Sequence, residues 1–427
     1  MWSYVPLEKV ANICDGLRKP VNSKERAKRI EGKLNKSLFP YYGATGQVGY
    51  IDDYLTDGEY VLLGEDGAPF LNPFASKAYI ISGKAWVNNH AHILQSKSNN
   101  KFLCYYLNYF DYNGYVSGTT RLKLTQAQLK RIEIPDISKD EQQRIVSCIE
   151  ERFSELDKGV ETLQTIKEQL AVYRQAVLKE AFEGKLTSSW RAENTLSNPQ
   201  YDFDKIRRPN EIFKDTSGDE NEIALNLPPT WLKARLGEIF EVQVGATPSR
   251  RVPEYWNGNI NWVSSGEVRF NTIFRTNEKI TPEGLAHAST NLQPIGTVML
   301  AMIGEGKTRG QAAILNTEAA HNQNTAAILV SQTTCSPKYV YYFLQMNYDN
   351  TRRVGSGNNQ KALNKERVRA IRFPFTSFDE QQKIVEEIES RLSVCDSIER
   401  TVDTALAQAE AMRQSILKKA FEGELCK

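Results

Sequence analysis

Few residues of this chain have the types and spacing that catalysis requires, and none of them completes a known motif. Residues 304–308 (GEGKT) resemble the end of a phosphate-binding loop, but Ala301 stands where that loop needs a glycine. His90 and His92 alternate on a predicted strand without a third ligand, which favours a polar strand face over a metal site. With four histidines in all, and no GxSxG, HExxH or acidic nuclease cluster, we expect neither catalytic residues nor a bound metal.

Side chains suited to binding lie in polar, glycine-containing loops. In the first half these loops are 39–51 (FPYYGATGQVGYI) and 117–124 (SGTTRLKL), and in the second half they are 259–268 (NINWVSSGEV), 304–311 (GEGKTRGQ) and 355–364 (GSGNNQKALN). Their Arg, Lys, Gln, Asn, Ser and Thr side chains can contact base edges and phosphates. Any one loop could have this composition without binding a ligand, but the loops recur at corresponding places in both halves, which favours a nucleic-acid partner.

The elements that position these loops are duplicated, because the chain contains similar segments twice, 239 residues apart. Residues 134–146 (IPDISKDEQQRIV) match 373–385 (FPFTSFDEQQKIV), and 174–186 (RQAVLKEAFEGKL) match 413–425 (RQSILKKAFEGEL). Weaker similarity extends upstream, where Trp2, Leu7 and Gly16 correspond to Trp231, Leu236 and Gly245. Each half is therefore a divergent block followed by a similar block, which indicates an internal tandem duplication with pseudo-twofold symmetry.

The similar blocks have the pattern of long helices. Capping boxes begin at Ser138 and Ser377, and Gly184 and Gly423 stand where glycines that end helices are expected. Apolar residues recur every seven positions, in the rows Ile149, Leu156, Leu163, Leu170, Val177 and Ile388, Cys395, Val402, Ala409, Ile416. This spacing predicts a coiled coil between the two helices. Two separate helices, each lying on its own domain, are the alternative.

The divergent blocks combine predicted strands with short aromatic-rich helices, so each is expected to be a mixed α/β (α+β) globular domain. Residues 187–230 are polar and turn-rich and are predicted to be a linker. The expected organisation is a first domain at 1–136, a helix at 137–186, the linker at 187–230, a second domain at 231–374 and a C-terminal helix at 375–427.

Composition narrows the class of protein further. The chain has 427 residues, of which 40% are apolar, and it shows neither an apolar stretch long enough to span a membrane nor the pattern of a secretory signal. Its six cysteines are scattered without a CxxC pair, which predicts reduced thiols in a cytoplasmic protein. The net charge of +2 conceals a division, since residues 1–133 carry +5 and residues 231–372 carry +7, whereas the helical blocks and the linker are acidic. Two basic modules on an acidic scaffold are typical of a protein that binds nucleic acid.

Together these features resemble the DNA-specificity (S) subunit of type I restriction–modification enzymes. The resemblance is carried by the duplicated DEQQ(R/K)IV and RQ(A/S)(V/I)LKxAFEGxL segments, by TWLKARLGEIFEVQVGATP, and by YYGATGQVGYIDDY and VNNHAHILQSK. It covers nearly the whole chain. It implies that each divergent block is a target recognition domain for one half of an asymmetric, bipartite DNA site, and that the two helices pair antiparallel and set the spacing between the half-sites.

The same resemblance implies partners and cofactors. The helices would dock two methyltransferase (M) subunits, which bind S-adenosylmethionine, with or without two restriction (R) subunits, whose reaction uses ATP and Mg. This chain itself would bind none of these cofactors and would be a non-catalytic subunit. Its own ligand would be double-stranded DNA, and no membrane contact is expected.

Within this hypothesis the DNA-contacting residues lie in the polar loops. Arg and Gln would bind bases, Lys and Ser would mainly hold phosphate, and the tyrosines would pack against a sugar or a displaced base. The candidates are Tyr41, Tyr42, Thr45, Gln47, Arg121 and Lys123 in the first domain, and Ser264, Ser265, Lys307, Arg309, Gln360 and Lys361 in the second. Two alternatives stay open: an assembly scaffold that binds two copies of a partner without nucleic acid, and an autonomous methyltransferase, for which no cofactor-binding motif is found.

Overall fold

The computed structural model describes residues 2–195, 197–209, 225–304, 306–353 and 362–426. The chain divides into two compact units. The first contains Met1–Lys167 and Arg400–Lys427, and the second contains Glu168–Glu399. Each unit therefore combines one divergent block with a part of each similar block.

The first unit is built on a six-stranded mixed sheet and a separate pair of strands. The strands of the sheet and of the pair are β1 Ser3–Pro6, β2 Ala11–Ile13, β3 Phe39–Gly43, β4 Gly46–Ile51, β5 Thr56–Gly64, β6 Ala78–Val87, β7 Ala91–Ser96 and β8 Glu133–Asp136. Its helices are α1 Leu7–Val10, α2 Ser23–Ile30, α3 Asn100–Tyr109, α4 Gln126–Lys130 and the first part of α5 Lys139–Phe182. The sheet order is β2-β7-β5-β6-β3-β4, and β1 pairs separately with β8. Within the sheet β3 runs parallel to β6, and the other pairs are antiparallel.

The aromatic helix α3 covers one face of this sheet. Its apolar side chains fall on one side, so that Phe102, Leu103, Tyr106 and Leu107 are all buried. The ring of Phe421, from the C-terminal helix, lies 5.5 Å from the ring of Phe102 and 5.1 Å from that of Tyr106, centroid to centroid. The end of the chain is thus part of the core of the first unit.

The second unit repeats this arrangement with shorter strands. Its strands are β9 Leu232–Arg235, β10 Val242–Val244, β11 Trp256–Val263, β12 Asn271–Ile273, β13 Glu278–Ile280, β14 Val298–Ala301, β15 Ala312–Leu315, β16 Ala319–His321, β17 Thr325–Ile328 and β18 Arg372–Phe375. Its helices are the remainder of α5, then α6 Ser188–Glu193, α7 Pro199–Ile206, α8 Leu236–Ile239, α9 Pro282–Ala286, α10 Pro337–Met346, α11 Tyr348–Arg353, α12 Lys365–Ala370 and the first part of α13 Phe378–Phe421.

The strand orders of the two units correspond. In the second unit β10-β17-β14-β15 follow one another as β2-β7-β5-β6 do in the first, β12 completes this sheet, β13-β11-β16 form a second sheet, and β9 pairs with β18. Strand β11 runs parallel to β16, as β3 runs parallel to β6. The prediction of two mixed α/β domains related by duplication is therefore confirmed.

Helices α5 and α13 have 44 residues each and pair antiparallel within each unit. In the first unit the contacts between the helices are Cys148 with Cys426, Asp157 with Arg413, and Lys167 with Asp403. Residue numbers increase along the first partner and decrease along the second, as antiparallel pairing requires. In the second unit Arg174 binds the carboxylates of Asp396 and Glu399 at 2.7 and 2.8 Å. At a rise of about 1.5 Å per residue each helix is about 66 Å long, and the predicted pairing of the helices is confirmed.

The heptad pattern is only partly buried. The seam row of the second helix is buried at Ile388, Cys395, Val402 and Ala409. A second apolar row is buried only where the helices begin, at Ile145 and Ile384. Its later members Tyr173, Ile398 and Met412 are exposed. A helix with a single partner covers one narrow stripe of its surface, so a second row remains at the edge of the contact.

The segment predicted as a linker contains more structure than its composition suggested. It forms α6 and α7, the Phe203 ring packs 5.6 Å from that of Phe375, and Thr187 and Arg191 donate hydrogen bonds to the buried carboxylate of Glu380. The apolar residues of this segment that reach the core are few and lie far apart, namely Phe203, Ile206, Leu225 and Leu227, so that they give no extended apolar period in the sequence. Residues 210–224 of this segment lie outside the described part of the chain.

The cysteines also depart from the prediction. Cys148 and Cys426 form a disulfide, because antiparallel packing brings residues 278 apart in sequence to a Cα–Cα distance of 6.2 Å. Cys14, Cys104, Cys335 and Cys395 are free thiols. Within the described ranges no group of His, Cys, Asp and Glu side chains could hold a metal ion. No helix in that part of the chain combines the length and hydropathy needed to cross a membrane.

Candidate nucleic-acid interface

Four loops of the first unit meet at one end of its sheet, which we call the first loop end. They are the β3–β4 turn at 43–46, the loop after β5 at 64–68, the β6–β7 turn at 88–90, and the segment 117–124. Backbone hydrogen bonds join these loops: the N–H of Asn88 to the carbonyl of Tyr42 at 3.1 Å, that of Glu65 to His90 at 2.7 Å, and that of Leu124 to Glu65 at 2.7 Å. Polar loops distant in sequence thus form one surface.

The second unit has the same frame at its second loop end, which comprises residues 264–266, 302–304, 322–324 and 362–363. The three corresponding backbone bonds are the N–H of Asn322 to Val263 at 3.1 Å, that of Met302 to Asn324 at 2.9 Å, and that of Leu363 to Met302 at 3.0 Å. The turn 88–90 of the first unit and the turn 322–324 of the second each begin with an asparagine. The side-chain oxygen of this asparagine, Asn88 or Asn322, accepts a hydrogen bond from the N–H two residues later. The frame therefore rests on backbone bonds and on one asparagine that both copies retain.

The first loop end exposes four of the six residues predicted there. Thr45, Gln47, Arg121 and Lys123 are solvent-exposed. Tyr41 is different, because it points into the core with 2% of its surface exposed, and its hydroxyl donates to the carbonyl of Val21 at 3.1 Å. Tyr42 is half-buried with its ring 5.9 Å from that of Tyr79. The geometry thus makes Tyr41 a structural residue.

Acidic residues hold both of the predicted cations at this surface. The carboxylate of Asp66 accepts from the guanidinium of Arg121 at 2.7 Å, and Glu65 Oε1 lies 3.1 Å from the ammonium of Lys123. The other oxygen of Glu65 accepts from Arg18. Burial by itself would raise the pKa of Glu65, but the hydrogen bonds from Arg18 and Lys123 lower that pKa below its ordinary value.

A buried histidine supports this ionic network from beneath. His92 is fully buried, with Nδ1 2.8 Å from Asp15 Oδ2 and Nε2 2.9 Å from the carbonyl oxygen of Leu124. Burial opposes ionisation of Asp15, yet its bonds with His92 lower the pKa of that carboxyl below the ordinary value. The bond from His92 to Leu124 therefore ties the segment that contains Arg121 and Lys123 to strand β7.

The second loop end presents fewer of its predicted residues. Ser264 donates its hydroxyl to Glu267 at 2.9 Å in a local cap, and Ser265 is half-buried beside it. Lys307 is exposed. Arg309 is only 7% exposed, and its guanidinium donates to the carbonyl of Arg352 at 2.7 Å, so it lies within the fold instead of at the surface. Gln360 and Lys361 lie outside the described residues.

The basic helix α2 was not among the predicted binding elements. Its Arg26 lies over the ring of Tyr41 on β3 at 4.7 Å and its Arg29 over that of Trp86 on β6 at 4.8 Å, which fixes the helix against these two neighbouring strands. Lys24 and Lys28 then face solvent. The run SKERAKRI has four basic residues among eight, a signal that a count by helix would have found. Asp66 and His90 were missed as well, because their role depends on partners far away in sequence.

Comparison with known proteins follows the division into two halves. The model of the type I restriction modification DNA specificity domain matches residues 1–171 and 228–408. The EcoBI specificity subunit of Escherichia coli, a type I restriction enzyme subunit, is 23% identical over 444 residues, covering 99% of this chain and 86% of that protein. The putative type I specificity subunit S.HindORF215P of Haemophilus influenzae is 39% identical over 134 residues, 31% of this chain and about a third (32%) of that protein's length.

Solved structures show the same fold at low sequence identity. The HsdS subunit from Thermoanaerobacter tengcongensis superposes with a TM-score of 0.52 at 14% identity, covering 99% of this chain and 97% of that one. A chain from a structure of the assembly and conformational transition of the type I R-M system superposes with a TM-score of 0.59 at 13% identity, covering 99% and 98%. The architecture of two domains with paired helices is thus shared with these proteins.

Proposed function

Since the chain belongs to the family defined by the type I restriction modification DNA specificity domain, we propose that it is the sequence-specific DNA-binding subunit of a type I restriction–modification complex. Each loop end binds one half of an asymmetric, bipartite duplex. The observation that carries this proposal is the repeated frame, in which the same three backbone bonds hold different side chains in the two units. Two surfaces with one construction and different chemistry suit two different half-sites.

The first unit also offers contacts to the phosphate backbone. Lys24 and Lys28 on α2 are exposed, and flexible ammonium groups bind phosphates without distinguishing sequences. Thr45 and Gln47 are exposed on the neighbouring hairpin and can contact base edges. Base recognition and phosphate binding would thus come from different elements of the same unit.

The helices supply the remaining part of the proposed function. They set the distance between the half-sites and dock two methyltransferase subunits, with or without two restriction subunits. Those partners bind S-adenosylmethionine, ATP and Mg, and this chain acts in the cytoplasm as a subunit without catalytic residues of its own. Seven residues inserted at matched positions of α5 and α13 are expected to lengthen the gap between the half-sites by about three base pairs, at roughly 10.5 Å per heptad.

The proposal is tested with the full chain co-purified with its methyltransferase partner. Sequencing of methylated adenines in the host genome identifies the site, and binding to that duplex is compared with a scrambled duplex at several salt concentrations. Replacing residues 1–136 with the corresponding block of another family member should change one half-site and leave the other unchanged. Absence of any sequence preference in the unmodified complex would refute the proposal and favour a scaffold that binds its partners without DNA.

A further inference from the structure

Arg121 is held in one orientation by residues that were not expected to touch DNA. Its guanidinium donates to Asp66 Oδ1 at 2.7 Å, and the same oxygen lies 2.7 Å from Nδ1 of His90. The guanidinium also lies against Gly67, where an added Cβ would be 3.0 Å from Nε of Arg121. Gly67 has a φ of +71°, a conformation that glycine adopts without strain. Asp66 and Gly67 therefore restrict the plane of this side chain, and His90 in turn holds the carboxylate of Asp66.

The backbone adds a second restraint. The segment that carries Arg121 lies beside the loop after β5, since the N–H of Gly67 donates to the carbonyl of Leu122 at 3.1 Å and residues Asp66 and Lys123 form an antiparallel bridge. Gly118 allows this turn, because a Cβ there would lie 2.5 Å from the carbonyl oxygen of Arg121. Both ends of the side chain, its Cα and its guanidinium, are thus fixed to the same loop.

The restrained guanidinium remains open to a ligand. The side chain of Arg121 is 60% exposed, whereas that of Asp66 is 21% exposed. A guanidinium has several N–H groups, and the bond to Asp66 uses one of them, so an adjacent pair remains free to donate in parallel. Two parallel donors match the O6 and N7 acceptors of guanine in the major groove.

The acidic partner decides between a base and a phosphate as the ligand. A carboxylate at 2.7 Å cancels much of the positive charge that would attract a phosphate, and it repels that group directly. The same carboxylate weakens the binding of a neutral base edge much less, because that binding depends more on the direction of the N–H groups than on the net charge. The exposed Lys24 and Lys28 lack such a partner among the described contacts, and they suit phosphate better.

We propose that Arg121 recognises a guanine in the first half-site and that Asp66, supported by His90 and Gly67, is a positioning residue for that recognition. The proposal rests on the DNA-binding function proposed above and adds the base that one side chain selects. It also predicts that the half-site bound by residues 1–136 contains a G·C pair on which binding depends.

The test uses the full chain with its methyltransferase partner and a set of duplexes in which each base pair of the methylated site is replaced in turn. Arg121→Ala and Arg121→Lys should reduce discrimination at one G·C pair of the first half-site by roughly 10- to 100-fold. Lysine should not rescue, because a point charge cannot donate two parallel bonds in a plane. Discrimination throughout the second half-site should be unchanged.

Asp66→Ala gives the signature of a positioning role. Discrimination at the same G·C pair should fall about three- to tenfold, because the guanidinium loses its fixed plane. Affinity for a scrambled duplex should rise at the same time, because one negative charge leaves a surface that faces phosphate. If the substitution only damaged the fold, both the discrimination at the G·C pair and the affinity for the scrambled duplex would fall. Asp57→Ala removes an exposed carboxylate from the opposite end of the same strand, β5, and should change neither quantity.

The outcomes separate the two proposals. If the unmodified complex shows no sequence preference, the DNA-binding function fails and this inference fails with it. If the unmodified complex discriminates and Arg121→Ala still selects every G·C pair as before, only the role of Arg121 is overturned. If Arg121→Ala loses the selection but Asp66→Ala keeps it, Arg121 recognises the base without the help of Asp66.

Discussion

The first and second loop ends share a backbone frame but fill it with opposite chemistry. The strand registers align the two units, because Leu63 pairs with His92 in the first unit and Leu300 pairs with Ala326 in the second. Leu63 therefore corresponds to Leu300, and His92 corresponds to Ala326. By the same alignment Glu65 corresponds to Met302. An ionised network in one copy is therefore replaced by apolar packing in the other.

This difference shows what the duplication has preserved. Bonds between backbone groups, such as those to the carbonyls of Tyr42 and Val263, do not depend on side-chain identity. Side chains on such a frame can therefore change without loss of the fold. The part of each unit that builds the frame and the part that contacts a ligand are separable, which suits a pair of domains that recognise different sequences.

The two capping boxes give a comparison of the same kind with a larger energetic difference. Glu380 is fully buried and accepts hydrogen bonds from Thr187, Arg191, Trp231 and Thr376 at 2.6 to 2.9 Å. Its counterpart Glu141 has a side chain that is 31% exposed and is paired with Arg144 on the surface. The same residue of one motif is thus a structural anchor in the second unit and a surface ion pair in the first.

Glu380→Ala should accordingly be the most destabilising change. It leaves the guanidinium of Arg191 and three neutral donors without their acceptor in the interior, at a cost of about 3–5 kcal/mol. Glu141→Ala should cost about 1 kcal/mol or less, because an exposed ion pair is screened by solvent. Urea unfolding of the two variants and the unmodified chain, followed by circular dichroism of the helices, measures both losses. Equal losses for the two variants would show that the two boxes are equivalent after all.

The sequence predicted those parts of the fold that depend on periodicity. Heptads and capping boxes located both long helices to within a few residues, because such signals are local and were present twice. It failed where distant contacts decide. Tyr41 and Tyr42 are neighbours on β3, and composition does not say which of them faces the core. Arg309 has the type of a DNA-binding residue, but a carbonyl from α11 holds it within the fold.

Loop composition predicted the candidate surface, but it did not predict which residues orient the binding side chains. Glycine-rich polar loops identified Thr45, Gln47, Arg121 and Lys123, which the fold does expose together. No local pattern links Asp66 to Arg121, since 55 residues separate them. Partners that orient a binding residue are supplied by topology, and this part of a site requires the structure.

Acid should affect the second unit before the first. His321 is buried in the second unit, where Val87 takes the equivalent place in the first, and burial lowers the pKa of His321 to about 4. The unfolded chain binds a proton near the ordinary value of 6.5, so the folded state loses stability as pH falls from about 6.5 to about 4. At about 1.4 kcal/mol per pH unit of displacement the loss is about 3 kcal/mol.

The ionic network of the first unit has a different window. The pKa values of Asp15 and Glu65 are lowered by folding, so their stabilising effect is complete above their ordinary values of 3.8 and 4.5 and is lost only below them. Urea midpoints of the second unit should therefore fall between pH 7.5 and pH 5, and His321→Val should flatten that dependence. A midpoint that falls equally in the variant would place the responsible group elsewhere.

The smallest of these effects concerns two glycines that look equivalent in the sequence. Gly16 and Gly245 occupy matching positions in the two halves, but a Cβ at Gly245 would lie 1.9 Å from the carbonyl oxygen of His321, whereas a Cβ at Gly16 would meet nothing within 4 Å. Gly245→Ala should cost about 2 kcal/mol, because backbone must move to accept the methyl group, and Gly16→Ala should be nearly neutral. The pair is compared by thermal unfolding of the two variants. If both were tolerated, the close approach of β10 to β16 would not be part of the frame, and the second unit would hold its loops by the backbone bonds alone.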